Sequence, residues 1–219
     1  MNLPNKITVV RICMIPVFVL VFFLEGILPF NYGISALIFL LAALTDALDG
    51  YIARKYKLVT NLGKFLVPIA DKVLVAVAMI LLVTVKDELF SKFGGLQELA
   101  YILTTVGACV ILARELIVSA FRQIAASNGV VMAAEKLGKY KTVFQDVALF
   151  VVLFAADPVI SGTFGVVLAW IGFGVFMLAT VLTIWSAISY MVTYKDVLKD
   201  EEKQEVIAET IDAENVEGV

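Results

Sequence analysis

The sequence predicts an all-α integral membrane protein: six transmembrane helices behind a short juxtamembrane amphipathic helix, with both termini cytoplasmic. Three observations predict it. Of 219 residues, 61% are hydrophobic and 17% charged, whereas soluble domains run near half apolar and a quarter charged. Apolar runs fall at about 12–30, 34–54, 62–85, 97–122, 139–156 and 163–193, each at or near the roughly 20 helical residues that cross the hydrocarbon. The connections alternate in charge. "GILPFNYG" carries none, "KDELFSKFGGLQE" is mixed and "ADPVISG" holds one acid, while the other side gathers Lys6, Arg11, Arg54, Lys55, Lys57, Lys64, Arg122, Lys136, Lys139, Lys141, Lys195, Lys199 and Lys203. The positive-inside rule puts that basic side, and both chain ends, in the cytoplasm.

The elements follow in order. Residues 2–10 read as the juxtamembrane helix, with Pro4 in its first turn and Ile7, Val9 and Val10 able to face lipid. The polar, basic opening "MNLPNKITVVR" runs into an apolar stretch without a small-residue cleavage site, so the first span is expected to be retained. The fifth span is short and borrows residues from its polar start. Residues 1–195 are expected to form one membrane-embedded domain. Residues 196–219 form an acidic cytoplasmic tail, free of aromatics and expected to be solvated. The net charge of −3 comes from the chain end: residues 195–219 hold nine acids and three lysines. Cys13 and Cys109 lie inside apolar runs and read as buried filler. Histidine is absent, so a general base must be a carboxylate, Lys, Tyr or Cys, and a hard-metal site must be built from oxygen.

Only the sixth span is free of charge. Span two carries Asp46, Asp49 and Arg54 late, and span three carries Lys64, Asp71 and Lys72 early. Span four carries Arg114, Glu115 and Arg122 late, and span five carries Lys139, Lys141 and Asp146 early. Because consecutive spans run in opposite directions, these charges share the cytoplasmic half of the membrane. The pattern describes a polar chamber open to the cytosol and roofed by apolar helix. Intramembrane carboxylates are functional candidates, since short side chains snorkel poorly. A transporter using the aspartates as a cation path would need a polar track through the outer half, and none is present. An internal repeat is also missing.

Asp46, Asp49 and Ala53 sit at i, i+3 and i+7, one helix face, flanked by Gly50 and Arg54. Gly63, Val67 and Asp71 share a face of the next helix at i, i+4 and i+8. A short basic loop makes the two helices antiparallel neighbours, so three carboxylates can converge. Converging carboxylates repel, and a divalent cation offsets that repulsion; oxygen-only ligands point to Mg, Mn or Ca. Two such ions suit a diphosphate. The small residues Gly50, Ala53 and Gly63 leave room for a ligand against the backbone, and close helix packing is the competing explanation.

This stretch resembles the signature of the CDP-alcohol phosphatidyltransferases, D-x2-D-G-x2-A-R-x8-G-x3-D-x3-D. Asp46, Asp49, Gly50, Ala53, Arg54, Gly63 and Asp71 match seven of its eight specified positions, and Val67 takes the place of the eighth. The resemblance covers nearly the whole chain outside the tail. It implies transfer of a lipid-bearing phosphoryl group from a CDP-linked lipid to an alcohol, with release of CMP. It further implies two Mg or Mn ions at Asp46, Asp49, Asp71 and an aspartate at position 67, with Asp71 as the base that deprotonates the attacking hydroxyl. Gly50, Ala53, Arg54 and Gly63 would lie at the CDP group, and Asn5 and Thr8, with Arg11, near headgroup or nucleotide. A homodimer in a bacterial inner membrane follows from the same resemblance, with no nucleic-acid partner. Val67 cannot ligate, so metal affinity and turnover are expected to be impaired. The intact surroundings, "NLGKFL" and "PIADK", are those of a competent enzyme carrying one substitution.

The second polar cluster addresses the acceptor. Arg114 and Arg122 are eight apart with Ser119 between them, and Lys136, Lys139 and Lys141 crowd the next helix start. A neutral alcohol would not need five cations, whereas a phosphorylated one would; positive-inside topology and anionic lipid headgroups are the competing account of the lysines. The "RE…S…R" and "GKYKT…Q" patterns, and the opening "NLPNKITVVR", resemble the branch of the family that uses CDP-diacylglycerol and sn-glycerol 3-phosphate. Inositol phosphate or phosphatidylglycerol as acceptor stays open, as does a non-catalytic CDP-lipid binder, made credible by Val67.

Overall fold

The computed structural model describes the backbone of residues 3–55, 61–127 and 136–193; within these, the side chains at 3–4, 47–55, 61–65, 68, 124–127, 136–139 and 193 are outside the description. The acidic tail and the two connections predicted to be cytoplasmic lie largely beyond it. Every described element is helical: α1 Leu3–Phe22, α2 Asn31–Lys55, α3 Asn61–Thr84, α4 Lys86–Phe90, a 3₁₀ turn Ser91–Leu96, α5 Gln97–Ser127, α6 Lys136–Ala156 and α7 Gly162–Thr193. All six apolar runs become long helices. Among the described residues, three stretches are long and apolar enough to cross a membrane: Asn5–Phe22, Lys86–Gln123 and Gly162–Val192, with a shorter apolar segment at Asn31–Asp46.

The separate juxtamembrane helix is corrected. Residues 3–22 form one continuous helix that carries Pro16 inside it. Nothing between Val10 and Ile12 breaks a helix, and Pro4 sits in the first turn, where its missing N–H costs nothing. Asn5, Thr8, Arg11, Ile15, Phe18 and Phe22 are all buried. At i, i+3, i+6, i+10, i+13 and i+17 they form one inward stripe, polar at its start and apolar at its end. Val9 and Val10 point outward, as expected. The helix also stops well before residue 30. A turn through Gly26, at φ 79°, reverses the chain into α2, a backbone conformation that glycine adopts without a steric penalty.

The long helices close into a ring, α1–α2–α6–α7–α5–α3 and back to α1, with α2 and α6 also touching α3 across it. The most extensive packing is α6 on α7, followed by α1 on α2. Lipid offers no hydrophobic drive for helix association, so close van der Waals fit must supply it. Gly172 of α7 shows that fit: a Cβ there would stand 2.8 Å from Val152 Cγ2 of α6. Phe18 of α1 packs on Phe39 of α2 with ring centroids 6.0 Å apart. The outer surface is correspondingly apolar, with Leu20, Val106, Leu116, Trp185 and Val192 among its exposed side chains. Cys13 and Cys109 are exposed on that surface rather than buried as filler; in a bundle bathed by lipid, an apolar residue can face outward.

The bundle end opposite the N-terminus of α1 is held by a clip that the sequence did not announce. Phe93 of the 3₁₀ turn stacks edge-on against Trp170 and Phe173 of α7, at 4.8 and 5.5 Å between centroids. This fixes the neighbouring Lys92, whose Nζ donates to the carbonyl of Ala155 and, at 2.8 Å, to that of Ile160. The Ala155 carbonyl lies at the C-terminus of α6, where a cation is favourable, and the Ile160 carbonyl in the connection to α7. Asp157 is fully buried beside them. Its carboxylate accepts from the N–H of Gly33 in the first turn of α2 and from that of Val159, both at 3.0 Å. Asp157→Ala would strand two backbone donors, and each hydrogen bond to a charged group contributes about 1.5–3 kcal/mol. A clearly lowered melting temperature of the purified protein in detergent is the expected result, with Asp157→Asn retaining part of the loss.

Candidate active site

The ring encloses a polar zone at the end where α1, α3 and α6 begin. α1 supplies its first surprise. Arg11 is fully buried, and its Nη1 stands 2.5 Å from Asp46 Oδ1. Its Nε donates to Thr45 Oγ1 at 3.1 Å, while the Thr45 hydroxyl donates to the Ala42 carbonyl at 2.6 Å. A buried guanidinium without a carboxylate would be costly, so Arg11 and Asp46 fix each other. α3 packs more extensively on α1 than on its sequence neighbour α2. The α2–α3 pair is therefore less intimate than the short loop implied, and α1 contributes to the site as much as either.

Asp71 and Val67 are half-buried on α3. Asp71 lies within electrostatic range of Asp46 and of Asp146 on α6, and Lys141 acts on both Asp71 and Asp146. The structure thus draws carboxylates from α2, α3 and α6 towards one region. Asp146 was noted in the sequence as a charge without a role; its Oδ1 is buried with no hydrogen-bond partner among the described residues. Among the described residues no three acid, cysteine or histidine side chains stand close enough to hold a metal ion. The side chain of Asp49 is outside the description, and so are those of Gly50, Ala53, Arg54 and Gly63, whose backbones are helical. The donor chemistry still suits a hard divalent cation: oxygen ligands, an excess of carboxylate, and an orphaned carboxylate oxygen.

The predicted acceptor cluster lies on α5 and α6, with partners on α7. Glu115 pairs with the buried Lys141, and with Arg114 Nη1 at 3.4 Å. Arg114 Nη2 donates to Ser186 Oγ at 2.9 Å. Arg122 is exposed, with its Nε donating to the Tyr190 hydroxyl at 3.1 Å and its guanidinium 5.4 Å from the Tyr190 ring centroid. Ser119 receives Lys72 from α3. The side chains of Lys136 and Lys139 lie outside the described residues. Asn5 and Thr8 are buried on the same face of α1 as Arg11.

The last span, free of charge, is not free of chemistry. Thr183, Ser186 and Tyr190 are buried and repeat at i, i+3 and i+7, with Ser186 and Tyr190 holding the two arginines of α5. That spacing was the available signal, hidden by a search for charges alone. Gln145 entered the sequence reading only as the end of the "GKYKT…Q" resemblance, with no role assigned to it. It is 2% exposed, and it lines a cavity of about 140 Å³ with Asp71, Lys72, Glu115 and Thr142.

Buried cations and half-buried carboxylates arranged at one end of an apolar helical ring suit a membrane enzyme acting on charged lipid headgroups. Comparisons with known proteins agree. The family description CDP-alcohol phosphatidyltransferase matches residues 1–198. The chain is 38% identical over 195 residues to the CDP-diacylglycerol–glycerol-3-phosphate 3-phosphatidyltransferase of Sodalis glossinidius (strain morsitans), covering 87% of this chain and 93% of that relative. It is 38% identical over 211 residues to a protein of that name from Pseudomonas fluorescens, covering 94% and 96%. It is 37% identical over 204 residues to one from Salmonella paratyphi A (strain ATCC 9150 / SARB42), covering 91% and 98%. With the motif, the helical frame and these relatives in agreement, the chain belongs to the CDP-alcohol phosphatidyltransferase family.

Proposed function

We propose that this protein transfers the phosphatidyl group of CDP-diacylglycerol to sn-glycerol 3-phosphate, giving phosphatidylglycerol phosphate and CMP in phospholipid synthesis. The observation that carries this reading is the near full-length similarity to relatives named for those two substrates, at 37–38% identity. The arginine-rich face of α5 supports it, since a phosphorylated acceptor needs cations that a neutral one does not.

In the reaction, the acceptor hydroxyl attacks the phosphorus that bears the lipid, one P–O bond forms, and the P–O bond to CMP breaks. Asp71 takes the proton from that hydroxyl. Arg11 holds Asp46 in place. Arg122 and Arg114, oriented by Tyr190 and Ser186, bind the acceptor phosphate, and Lys136 and Lys139 add positive charge at the start of α6. The Lys141–Glu115 pair fixes α6 against α5, so that the cations are presented in register. Gly50, Ala53 and Gly63 would leave space for the CDP group, and Arg54 would lie near it. Two divalent ions, Mg or Mn, would be held by Asp46, Asp49 and Asp71 and would neutralise the diphosphate; Val67 leaves that set one carboxylate short.

The reading also comprises six membrane crossings, cytoplasmic termini and a site open to the cytoplasm of a bacterial inner membrane. It is supported by the one-sided charge pattern and the polar start of the α1 stripe. Cysteine labelling from either side of sealed vesicles tests it, and cross-linking in membranes tests the homodimer implied by the family resemblance. For the acceptor, Arg122→Ala should raise the KM for glycerol 3-phosphate by about 10-fold or more, the equivalent of one lost charged hydrogen bond. The KM for CDP-diacylglycerol should stay within a few-fold. Equal loss towards both substrates would contradict a role at the acceptor phosphate.

A further inference from the structure

The cavity between α3, α5 and α6 has a lining that is part polar and part apolar. Asp71, Lys72, Glu115, Thr142 and Gln145 are its polar lining, and Val75, Ala76, Leu112 and Leu116 its apolar lining. At about 140 Å³ it exceeds the space that one water needs. Gln145 is 2% exposed, and its Oε1 has no hydrogen-bond partner among the described residues. A buried amide oxygen without a donor costs free energy, so native proteins keep one where a ligand or an ordered water supplies the donor.

We propose that Gln145 is a specificity-determining residue that accepts a hydrogen bond from the spectator hydroxyl of the acceptor alcohol. This rests on the glycerol 3-phosphate reading and deepens it. Glycerol 3-phosphate carries two hydroxyls on adjacent carbons. One is deprotonated at Asp71 and attacks; the other takes no part in bond making. Asp71 and Gln145 line the same cavity, so a small polyol with its attacking oxygen at Asp71 brings its second O–H to the orphaned amide oxygen. Its carbon chain then rests on the apolar lining. The cations of α5 bind the phosphate, as any phosphorylated alcohol would allow, whereas Gln145 distinguishes a diol phosphate from a mono-alcohol phosphate. A site built to bond a hydroxyl rejects the analogue that lacks it, because its own polar group is then left unpaired.

The test is calorimetric titration of the purified full-length chain in detergent, without donor lipid. The ligands are glycerol 3-phosphate and 3-hydroxypropyl phosphate, which differ only by the second hydroxyl. Unmodified protein should bind glycerol 3-phosphate about 10-fold or more tightly than the analogue. Gln145→Met, close in length but without the amide oxygen, should bind both ligands with equal affinity, the loss falling on glycerol 3-phosphate alone. Gln145→Asn, which withdraws the oxygen by one methylene, should fall between the two and replaces the Met variant if that one fails to fold. Equal affinity of the unmodified protein for both ligands would overturn the role of Gln145 and leave the acceptor reading intact. A preference that survives in Gln145→Met would do the same and would make the cavity a water site. No binding of either ligand by the unmodified protein would overturn the acceptor reading and this inference together.

Discussion

Val67→Asp should raise CMP release by about 100-fold or more, the rate equivalent of about 2.7 kcal/mol. The expectation rests on one position. Seven motif residues match at family spacing, and the eighth is an isopropyl group where a carboxylate belongs. Val67 is half-buried on α3, one helical turn before Asp71. A carboxylate introduced there faces the same region as Asp71 and adds a hard oxygen ligand to a site that has Asp46 and Asp71 within electrostatic range of each other. The gain should require Mg or Mn and should vanish with EDTA. It should also be visible without turnover: Val67→Asp should bind Mn²⁺ more tightly than the unmodified chain in an equilibrium titration followed by electron paramagnetic resonance. Equal affinity in the two proteins would show that position 67 is not a ligand position.

Asp71→Asn, made in the Val67→Asp background, should lower turnover by about 10²–10⁴-fold, the usual contribution of a positioned general base. The amide keeps shape and polarity but cannot accept the proton. The protein should fold, since Asp71 is half-buried and the apolar positions of α3, including Leu74, Ala78 and Leu82, are untouched. If Asp71 is the base, kcat should fall with little change in the KM for either substrate. A variant that loses metal binding as severely as turnover would assign Asp71 to ligation alone.

The sequence showed most of the frame because apolar runs of membrane length leave few alternatives. All six runs appear as helices, and the fifth does begin in its polar start at Lys136. What the sequence obscured is how those helices are arranged around the site. Sequence adjacency made α2 and α3 partners, yet α1 stands against both, and Arg11 reaches Asp46 across 35 residues of chain. No local pattern encodes that pairing. The clip of Lys92 on the carbonyls at and just beyond the end of α6 was hidden as well, because it joins a side chain to backbone groups whose position depends on where α6 stops.

The site was legible where charge marks it and obscure where neutral polar groups act. Asp46 and Asp71 were visible as expensive carboxylates in apolar runs. Arg114 and Arg122 were visible for the same reason. Ser186, Tyr190 and Gln145 carry no charge and merge into the helices that contain them. Their importance appears only when burial and partners are known, as with the Tyr190 hydroxyl under Arg122.

The measurement that tests the account most directly follows radiolabelled glycerol 3-phosphate into lipid. The chain and its Val67→Asp variant are reconstituted in vesicles with CDP-diacylglycerol and Mn²⁺. The account predicts labelled phosphatidylglycerol phosphate and CMP in equal amounts from the variant, abolished by EDTA, with far less from the unmodified chain. A folded, metal-binding variant that releases CMP only with another acceptor, or none with glycerol 3-phosphate, would contradict it.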